Sequence, residues 1–227
     1  MRLLILALAV PLFLTASSVG AVKLVETPLF VDKVTAGELP SVDQRLPAEP
    51  SVVKMQGGKM IGRHGGDLRT MIGRAKDVRL LCVYGYARLV GYNEKFELVA
   101  DILKSVEVKD GRQFTFRLRP GHKWSDGHPF TAEDFRYWWE DVANNIKTSP
   151  AGPPRLMMVN GQPPVFEVLD ESTVRFTWAG VNPFFLPRLA GASPLFIYRP
   201  SHYLKQYHGK YANKKKLKKL YKILTNQ

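Results

Sequence analysis

The chain has 227 residues, enough for one large domain or two small ones, and 45% of them are apolar, which excludes general disorder. The formal net charge is +13, but eight lysines lie among the last 23 residues, which contain no acidic residue. The high charge is therefore largely a property of the C-terminal segment, and it does not indicate a nucleic-acid-binding face of the whole fold.

Residues 1–21 have the layout of a secretory signal peptide. Arg2 is the single charge, an apolar run covers residues 3–14, and small residues lead to Ala21. We predict cleavage after Ala21 and a periplasmic location, with an uncleaved membrane anchor as the alternative. The chain has one cysteine, Cys82, which cannot form an internal disulfide, so the fold must depend on its core and the thiol is expected to be buried and inert.

Residues 22–64 are rich in proline and are predicted to form an extended arm that packs along a larger body, with one short helix near residues 31–36. The stretch DLRTMIG, residues 67–73, alternates apolar and polar positions and predicts the first strand. Arg74 and Ala75 begin the loop that follows this strand.

Two β-hairpins are predicted further along the chain. Residues 105–109 and 113–118 alternate around Asp110 and Gly111, a pair that tolerates the positive φ angles of a tight turn. Residues 165–178 repeat the pattern around a turn at 170–172. A short helix near 184–189, a strand near 195–198 and a basic amphipathic helix over 212–227 complete the predicted elements.

The clearest predicted helix lies between the hairpins. Thr131 is its N-cap, Asp134 completes an approximate capping box, and the apolar face carries Phe135, Trp138, Trp139 and Val142. Two pairs of adjacent acids lie on this helix, and adjacent residues of a helix do not converge on one point. We therefore expect solvated charges at Glu133, Asp134, Glu140 and Asp141.

The stretch GHKWSDGHPFTAEDF, residues 121–135, brings together His122, Asp126 and His128. The histidines are six residues apart and glycine and proline interrupt them, which does not fit the ligand spacing of a helix or a strand. We interpret them as exposed turn residues. The sequence has no phosphate loop, GxSxG, HExxH or CxxC motif, so we predict a protein that is not an enzyme and holds no metal or cofactor.

Tyrosines flank glycines in the stretch VYGYARLVGYN, at positions 84, 86 and 92. Tyrosine on a loop offers a rigid amphipathic contact for a peptide or a sugar. The same residues suit a core position equally well, so residue type leaves both interpretations open.

Residues 86–142 resemble the family 5 extracellular solute-binding proteins of bacterial ABC importers, of the dipeptide- and oligopeptide-binding type. The motif of this family runs through Tyr-x-x-Leu, a Phe-x-Leu-Arg-x-Gly strand end and an Asp-Gly-x-Pro-Phe-Thr-Ala-x-Asp turn and helix start. The matching positions include Tyr86, Leu89, Ser105, Phe114, Phe116, Leu118, Arg119, Gly121, Trp124, Asp126, Gly127, Pro129, Phe130, Thr131, Ala132 and Asp134. The resemblance covers residues 65–207, and "DESTVRFTW" fits the strand that follows in the family.

The resemblance implies a mixed α/β (α+β) fold, the first lobe of a periplasmic-binding-protein with a small hairpin-and-helix subdomain. Members of the family close two lobes on a solute and dock on a permease in the inner membrane. They are more than twice this length, and a second lobe is absent from this sequence. We therefore divide the chain into a signal peptide (1–21), an extended N-terminal arm (22–64), a partial first lobe (65–211) and a basic C-terminal helix (212–227). We predict weak or no solute binding by the chain alone.

The resemblance implies a peptide or similar small solute as ligand and places two loops near the cleft. The candidate contacts are Arg74, Ala75, Tyr84, Tyr86 and Arg88. The rival hypothesis is a secreted basic protein whose lysine helix binds anionic lipid or nucleic acid. Because lysine runs are commonly solvated, we expect no nucleic-acid partner, and the solute-binding interpretation is favoured.

Overall fold

The computed structural model describes residues 24–55, 57–81, 85 and 87–225. The predicted signal peptide lies outside the described residues, as do Cys82, Tyr84 and Tyr86. Among the residues that are described, none belongs to a helix with the length and apolar character needed to cross a bilayer.

The N-terminal arm lies against the body through backbone and charged contacts. It contains a 3-10 turn at Pro28–Phe30 and two short helices, α1 (Val31–Thr35) and α2 (Val42–Arg45). The amide of Ala48 donates to the carbonyl of Pro120 at 2.9 Å, and Lys104 forms an ion pair with Glu49 at 2.7 Å. Gly121, at φ +70°, allows this approach, because a Cβ there would lie 3.2 Å from the nitrogen of Ala48.

The strand predicted over residues 67–73 is wrong. These residues form no strand, and the nearest regular element is a 3-10 helix at Ala75–Leu81. Leu68 is 74% exposed and Met71 is 99% exposed. Alternating residues become a strand only where a neighbouring strand pairs with them, and no described strand lies beside this stretch.

In the described part of the chain, six strands form two antiparallel sheets. The small sheet pairs β1 (Val90–Tyr92) with β2 (Leu98–Ala100). The main sheet consists of β3 (Leu103–Lys109), β4 (Gln113–Leu118), β5 (Val165–Asp170) and β6 (Thr173–Thr177). Its strand order is β3-β4-β6-β5. Val106 pairs with Phe116 and Val168 pairs with Val174, so both predicted hairpins are confirmed. Asp110 and Gly111 turn the first hairpin at φ 53° and 62°.

The core lies between one face of the main sheet and two helical segments. The first segment begins as α3 (Ala132–Arg136) and continues without a break as a π-helix at Tyr137–Ala143. The second is α4 (Phe185–Ala190). Aromatic rings fill the space: Phe116 stacks on Phe185 with a centroid distance of 5.7 Å, and the Trp178 indole donates to the carbonyl of Met157 at 2.7 Å.

The predicted capping box of α3 is confirmed, but two of the acids expected in solvent are buried. Asp134 is 1% exposed, and its carboxylate accepts from the Trp124 indole at 3.0 Å and from the amide of Ser201 at 2.9 Å. Asp141 is 3% exposed. The apolar stripe predicts one covered face, whereas residues 198–211, which are distant in sequence, cover a second face.

Asp141 is the buried centre of an ionic cluster. Its carboxylate lies 2.8 Å from the Lys210 ammonium, 2.7 Å from the Tyr211 hydroxyl and 3.0 Å from the Arg136 guanidinium. Burial acts to raise the pKa of Asp141, but these three donors outweigh it and hold the pKa below its ordinary value. Arg136 also binds Glu133 and Glu140, and these carboxylates raise the pKa of its guanidinium.

The C-terminal part contains α5 (Ser201–Leu204), a 3-10 turn at Lys205–Tyr207 and α6 (Lys214–Thr225). The strand predicted near residues 195–198 is wrong: this stretch joins no sheet, although Ile197 is fully buried. The predicted helices near residues 31–36 and 184–189 and the basic helix are present within one or two residues of their expected bounds.

Candidate functional site

Arg88 lies where the small sheet, the start of β3 and the end of α4 meet. Its amide donates to the Asp101 carboxylate at 3.1 Å, and its carbonyl accepts from the amide of Ile102 at 2.9 Å. Its guanidinium donates to the carbonyl of Ala190 at 2.6 Å, and the residue is half-buried. Arg88 therefore fixes the position of the loop before β1 and holds α4 beside the small sheet.

Arg74 and Ala75 occupy a different, exposed stretch. The Arg74 side chain is 70% exposed, and its nearest acidic neighbour is Asp77, at 3.5 Å. The carbonyl of Arg74 accepts from the amide of Asp77 at 2.8 Å, which starts the 3-10 helix at Ala75. Arg74 and Arg88 thus contact different neighbours. Tyr84 and Tyr86 lie outside the described residues, so the five candidate contacts stay a prediction.

The small sheet presents an aromatic tip that the sequence patterns did not single out. Phe96 is 85% exposed and has a φ of 59°, a conformation that is unusual for a bulky side chain. Asn93 enforces it: its side-chain oxygen accepts from the amides of Lys95 and Glu97, both at 2.9 Å. Tyr92, the last residue of β1, is half exposed. In the sequence, the sign of this turn is an asparagine, Asn93, at the start of a short loop between two apolar stretches.

A charged depression of about 310 Å³ adjoins this aromatic tip. Its walls come from the arm and from the turn of the small sheet, and Lys59 forms an ion pair with Glu94 across it. The lining residues are Lys54, Lys59, Asn93, Glu94, Lys95 and Glu97. The depression thus offers ionic and hydrogen-bonding groups on the same turn that carries Phe96.

The histidine-containing turn is a structural corner. Gly127 turns the chain at φ 85°, and the amide of His128 binds the Asp126 side chain at 3.0 Å. The His128 ring stacks on His202 at 3.8 Å, and His202 Nε2 lies 2.7 Å from the Asp126 carboxylate, whose pKa this hydrogen bond lowers. Burial lowers the pKa of His122. Across the described residues, no group of three histidine, cysteine or acidic side chains is placed to hold a metal.

Comparison with known proteins gives a consistent family. The profile described as bacterial extracellular solute-binding proteins, family 5 Middle, matches residues 97–224, more than half of the chain. This span includes the main sheet, both core helices and most of α6.

Several characterised proteins are similar to this chain. The periplasmic alpha-galactoside-binding protein of Rhizobium meliloti (strain 1021) is 32% identical over 211 residues, an alignment that covers 79% of this chain and 28% of that protein. A solved oligopeptide-binding protein OppA has a TM-score of 0.68 at 33% identity, covering 87% of this chain and 30% of its own. MelB of Agrobacterium fabrum C58, solved in complex with stachyose, has a TM-score of 0.53 at 28% identity, covering 81% and 30%.

The chain therefore spans less than a third of the length of the proteins it matches. The mixed α/β architecture with antiparallel sheets is part of a periplasmic-binding-protein fold, as expected from the sequence. The described residues contain no second lobe.

Proposed function

Because the chain belongs to the bacterial extracellular solute-binding proteins of family 5, we propose that it acts in the periplasm as part of the solute-binding component of an ABC importer. We propose a peptide as its solute and a permease of the inner membrane as its partner. The observation that carries the peptide proposal is the similarity of fold to the oligopeptide-binding protein OppA over most of this chain.

The proposed ligand contacts are Arg74, Ala75, Tyr84, Tyr86 and Arg88. To these we add Phe96, because an exposed ring on a turn with a fixed backbone is a ready contact for an apolar or planar ligand group. Arg88 supports the loop through its bonds to Asp101 and Ala190. Peptides are held by backbone hydrogen bonds and roomy side-chain pockets, so the chemistry is binding without bond breaking.

An oligosaccharide with α-linked galactose is a second candidate. It is favoured by the names of two similar proteins, one described as alpha-galactoside-binding and one solved with stachyose. The exposed rings of Tyr92 and Phe96 fit this chemistry as well, because sugars stack on aromatic faces through their C–H groups.

Calorimetric titration of the purified chain with a tripeptide mixture and with stachyose is the first test. One lobe covers one side of a ligand, so we expect dissociation constants weaker than about 100 μM for both. Micromolar binding of either solute by the chain alone would contradict the assignment of the chain as a partial binding site.

A hybrid protein assigns the ligand. Residues 24–225 of this chain replace the aligned part of OppA, and the hybrid is titrated with the same solutes. We expect peptide binding, reduced about tenfold by Phe96→Ala and unchanged by Phe184→Ala, an exposed phenylalanine on another segment. Binding of stachyose in place of peptide selects the second candidate, and a folded hybrid that binds neither solute rejects both.

A further inference from the structure

The basic helix α6 has no acidic residue in its first turn, and Lys214, Lys215, Lys216, Lys218 and Lys219 are all exposed. Leu217 is half-buried instead and lines a depression of about 470 Å³ together with residues from 145–148 and 207–210. Leu217 thus lies on the side of the helix that borders this depression, while the five lysines are exposed.

Lysines before and within this helix differ in their partners. Lys205 binds Glu133 at 2.7 Å, and Lys210 binds Asp141 at 2.8 Å, so both are neutralised by the body. In the part of the chain that the structure describes, the ion pairs within 4.0 Å include none that involves Lys214, Lys215, Lys218 or Lys219. Within the described residues, these four ammonium groups therefore have no carboxylate partner.

The arrangement is unfavourable for an isolated helix. Lys214 and Lys218 are four residues apart, as are Lys215 and Lys219, and like charges at this spacing repel. Lys214 and Lys215 also lie at the N-terminus of the helix, which is the positive end of the helix dipole. Asn213 caps the helix by accepting from the amide of Lys215 at 3.0 Å, but it carries no charge. An external anionic surface would offset this repulsion. At 100° per residue, Lys214, Lys215, Lys218 and Lys219 all lie on one side of the helix, so a single surface can contact all four.

We propose that α6 is a membrane-contact surface, in which the arc of Lys214, Lys215, Lys218 and Lys219 lies on the headgroups of an anionic bilayer. A periplasmic chain meets the surface of the inner membrane, where phospholipid phosphates are the abundant fixed anions, so lipid is favoured over nucleic acid. This preference rests on the proposed periplasmic function. The contact would hold the chain at the surface in which its permease is embedded.

Vesicle co-sedimentation of the full chain tests this inference. We expect binding to vesicles of equal parts phosphatidylcholine and phosphatidylglycerol at low salt, loss of binding at high salt, and no binding to pure phosphatidylcholine. Replacing the four lysines of the arc by glutamine should weaken binding about 600-fold, because each of the four contributes roughly fivefold near an anionic surface.

A matched variant replaces four exposed lysines elsewhere by glutamine, at Lys33, Lys76, Lys95 and Lys109. It removes the same net charge and should weaken binding less than about fivefold in total. Equal losses in the two variants would overturn the proposal, as would binding to pure phosphatidylcholine. Tighter binding to an RNA oligomer than to the anionic vesicles at equal phosphate concentration would also overturn it.

Circular dichroism provides an independent measurement. Helix content should rise when the anionic vesicles are added to the native chain and should not change for the variant of the four arc lysines, which has no repulsion to relieve. An unchanged helix content in the native chain, with vesicles bound, would contradict the coupling between the helix and the surface. None of these measurements requires a solute, so they test the membrane contact even if the proposed solute binding is wrong.

Discussion

The sheet-and-helix body and the segment 52–81 contain similar apolar residues, and they bury them very differently. In the body, Phe116 and Phe176 are fully buried. In the segment, Met60 and Ile61 are more than four-fifths exposed, and Met71 is 99% exposed. Apolar character alone therefore does not decide burial. A side chain is buried only where a second layer of the fold lies against it.

The difference follows from pairing. Every strand of the main sheet has a hydrogen-bonded neighbour, and aromatic side chains of β4 and β6 contact Phe185 of α4. Residues 67–73 have neither. The structural match to OppA covers 30% of that chain, so most of the chain of that relative has no counterpart here.

The largest effect is expected from Phe176→Ala in the body. Phe176 contacts Trp178, Phe185 and Trp139, and truncation leaves a cavity that the rigid rings cannot fill. We expect the free energy of unfolding to fall by about 3–5 kcal/mol in urea denaturation. Phe184→Ala is the matched control, because Phe184 is 68% exposed, and it should cost under about 0.5 kcal/mol. Equal losses at the two positions would show that the core is not where the structure has it.

A smaller effect is expected from Asp141→Asn, which removes the buried charge at the centre of the ionic cluster. Arg136 keeps Glu133 and Glu140, whereas Lys210 loses its partner, so the free energy of unfolding at neutral pH should fall by about 2–3 kcal/mol. Glu140→Gln is the control: Glu140 is 53% exposed and its loss should cost under about 1 kcal/mol.

The same cluster predicts a dependence on pH. Because the pKa of Asp141 is lower in the folded chain than in the unfolded one, its contribution is present above the ordinary carboxyl pKa and is lost as pH falls through the folded value. Urea denaturation should therefore show the native protein and Asp141→Asn converging in stability below about pH 4. A constant difference between the two proteins down to pH 2 or so would contradict a titrating carboxylate at this position.

Local patterns predicted much of the body. The turn at Asp110 and Gly111 fixes its hairpin within a few residues, and the Thr131 cap fixes the start of α3 in the same way. The strand prediction for residues 67–73 is wrong because a strand needs a partner that lies elsewhere in the chain. The predicted exposure of Asp134 and Asp141 is wrong for a related reason: their partners Ser201 and Tyr211 are about seventy residues away in the sequence.

The candidate site was less predictable than the fold. The family resemblance predicts Arg88 as a contact, but its bond to Ala190 joins residues 102 positions apart, which no local pattern contains. Local patterns do not indicate Phe96, because exposure and a positive φ are properties of the folded turn, and Asn93 is the only trace of that turn among the residues around it. The position of a side chain relative to distant segments is what sequence reasoning lacked in each case.

The smallest expected effect provides the most direct test of the comparison. Met71→Ser removes a large apolar side chain from the exposed segment, and Met157→Ser makes the same change where the side chain is fully buried. Because the two side chains differ in burial, we expect the free energy of unfolding to fall by under about 0.5 kcal/mol for Met71→Ser and by about 3 kcal/mol or more for Met157→Ser. Both values are measured by urea denaturation. A loss above about 1 kcal/mol for Met71→Ser would mean that the segment buries this side chain in solution, in an intermolecular contact or against the body. A dependence of that loss on protein concentration would distinguish the two, because only an intermolecular contact strengthens with concentration.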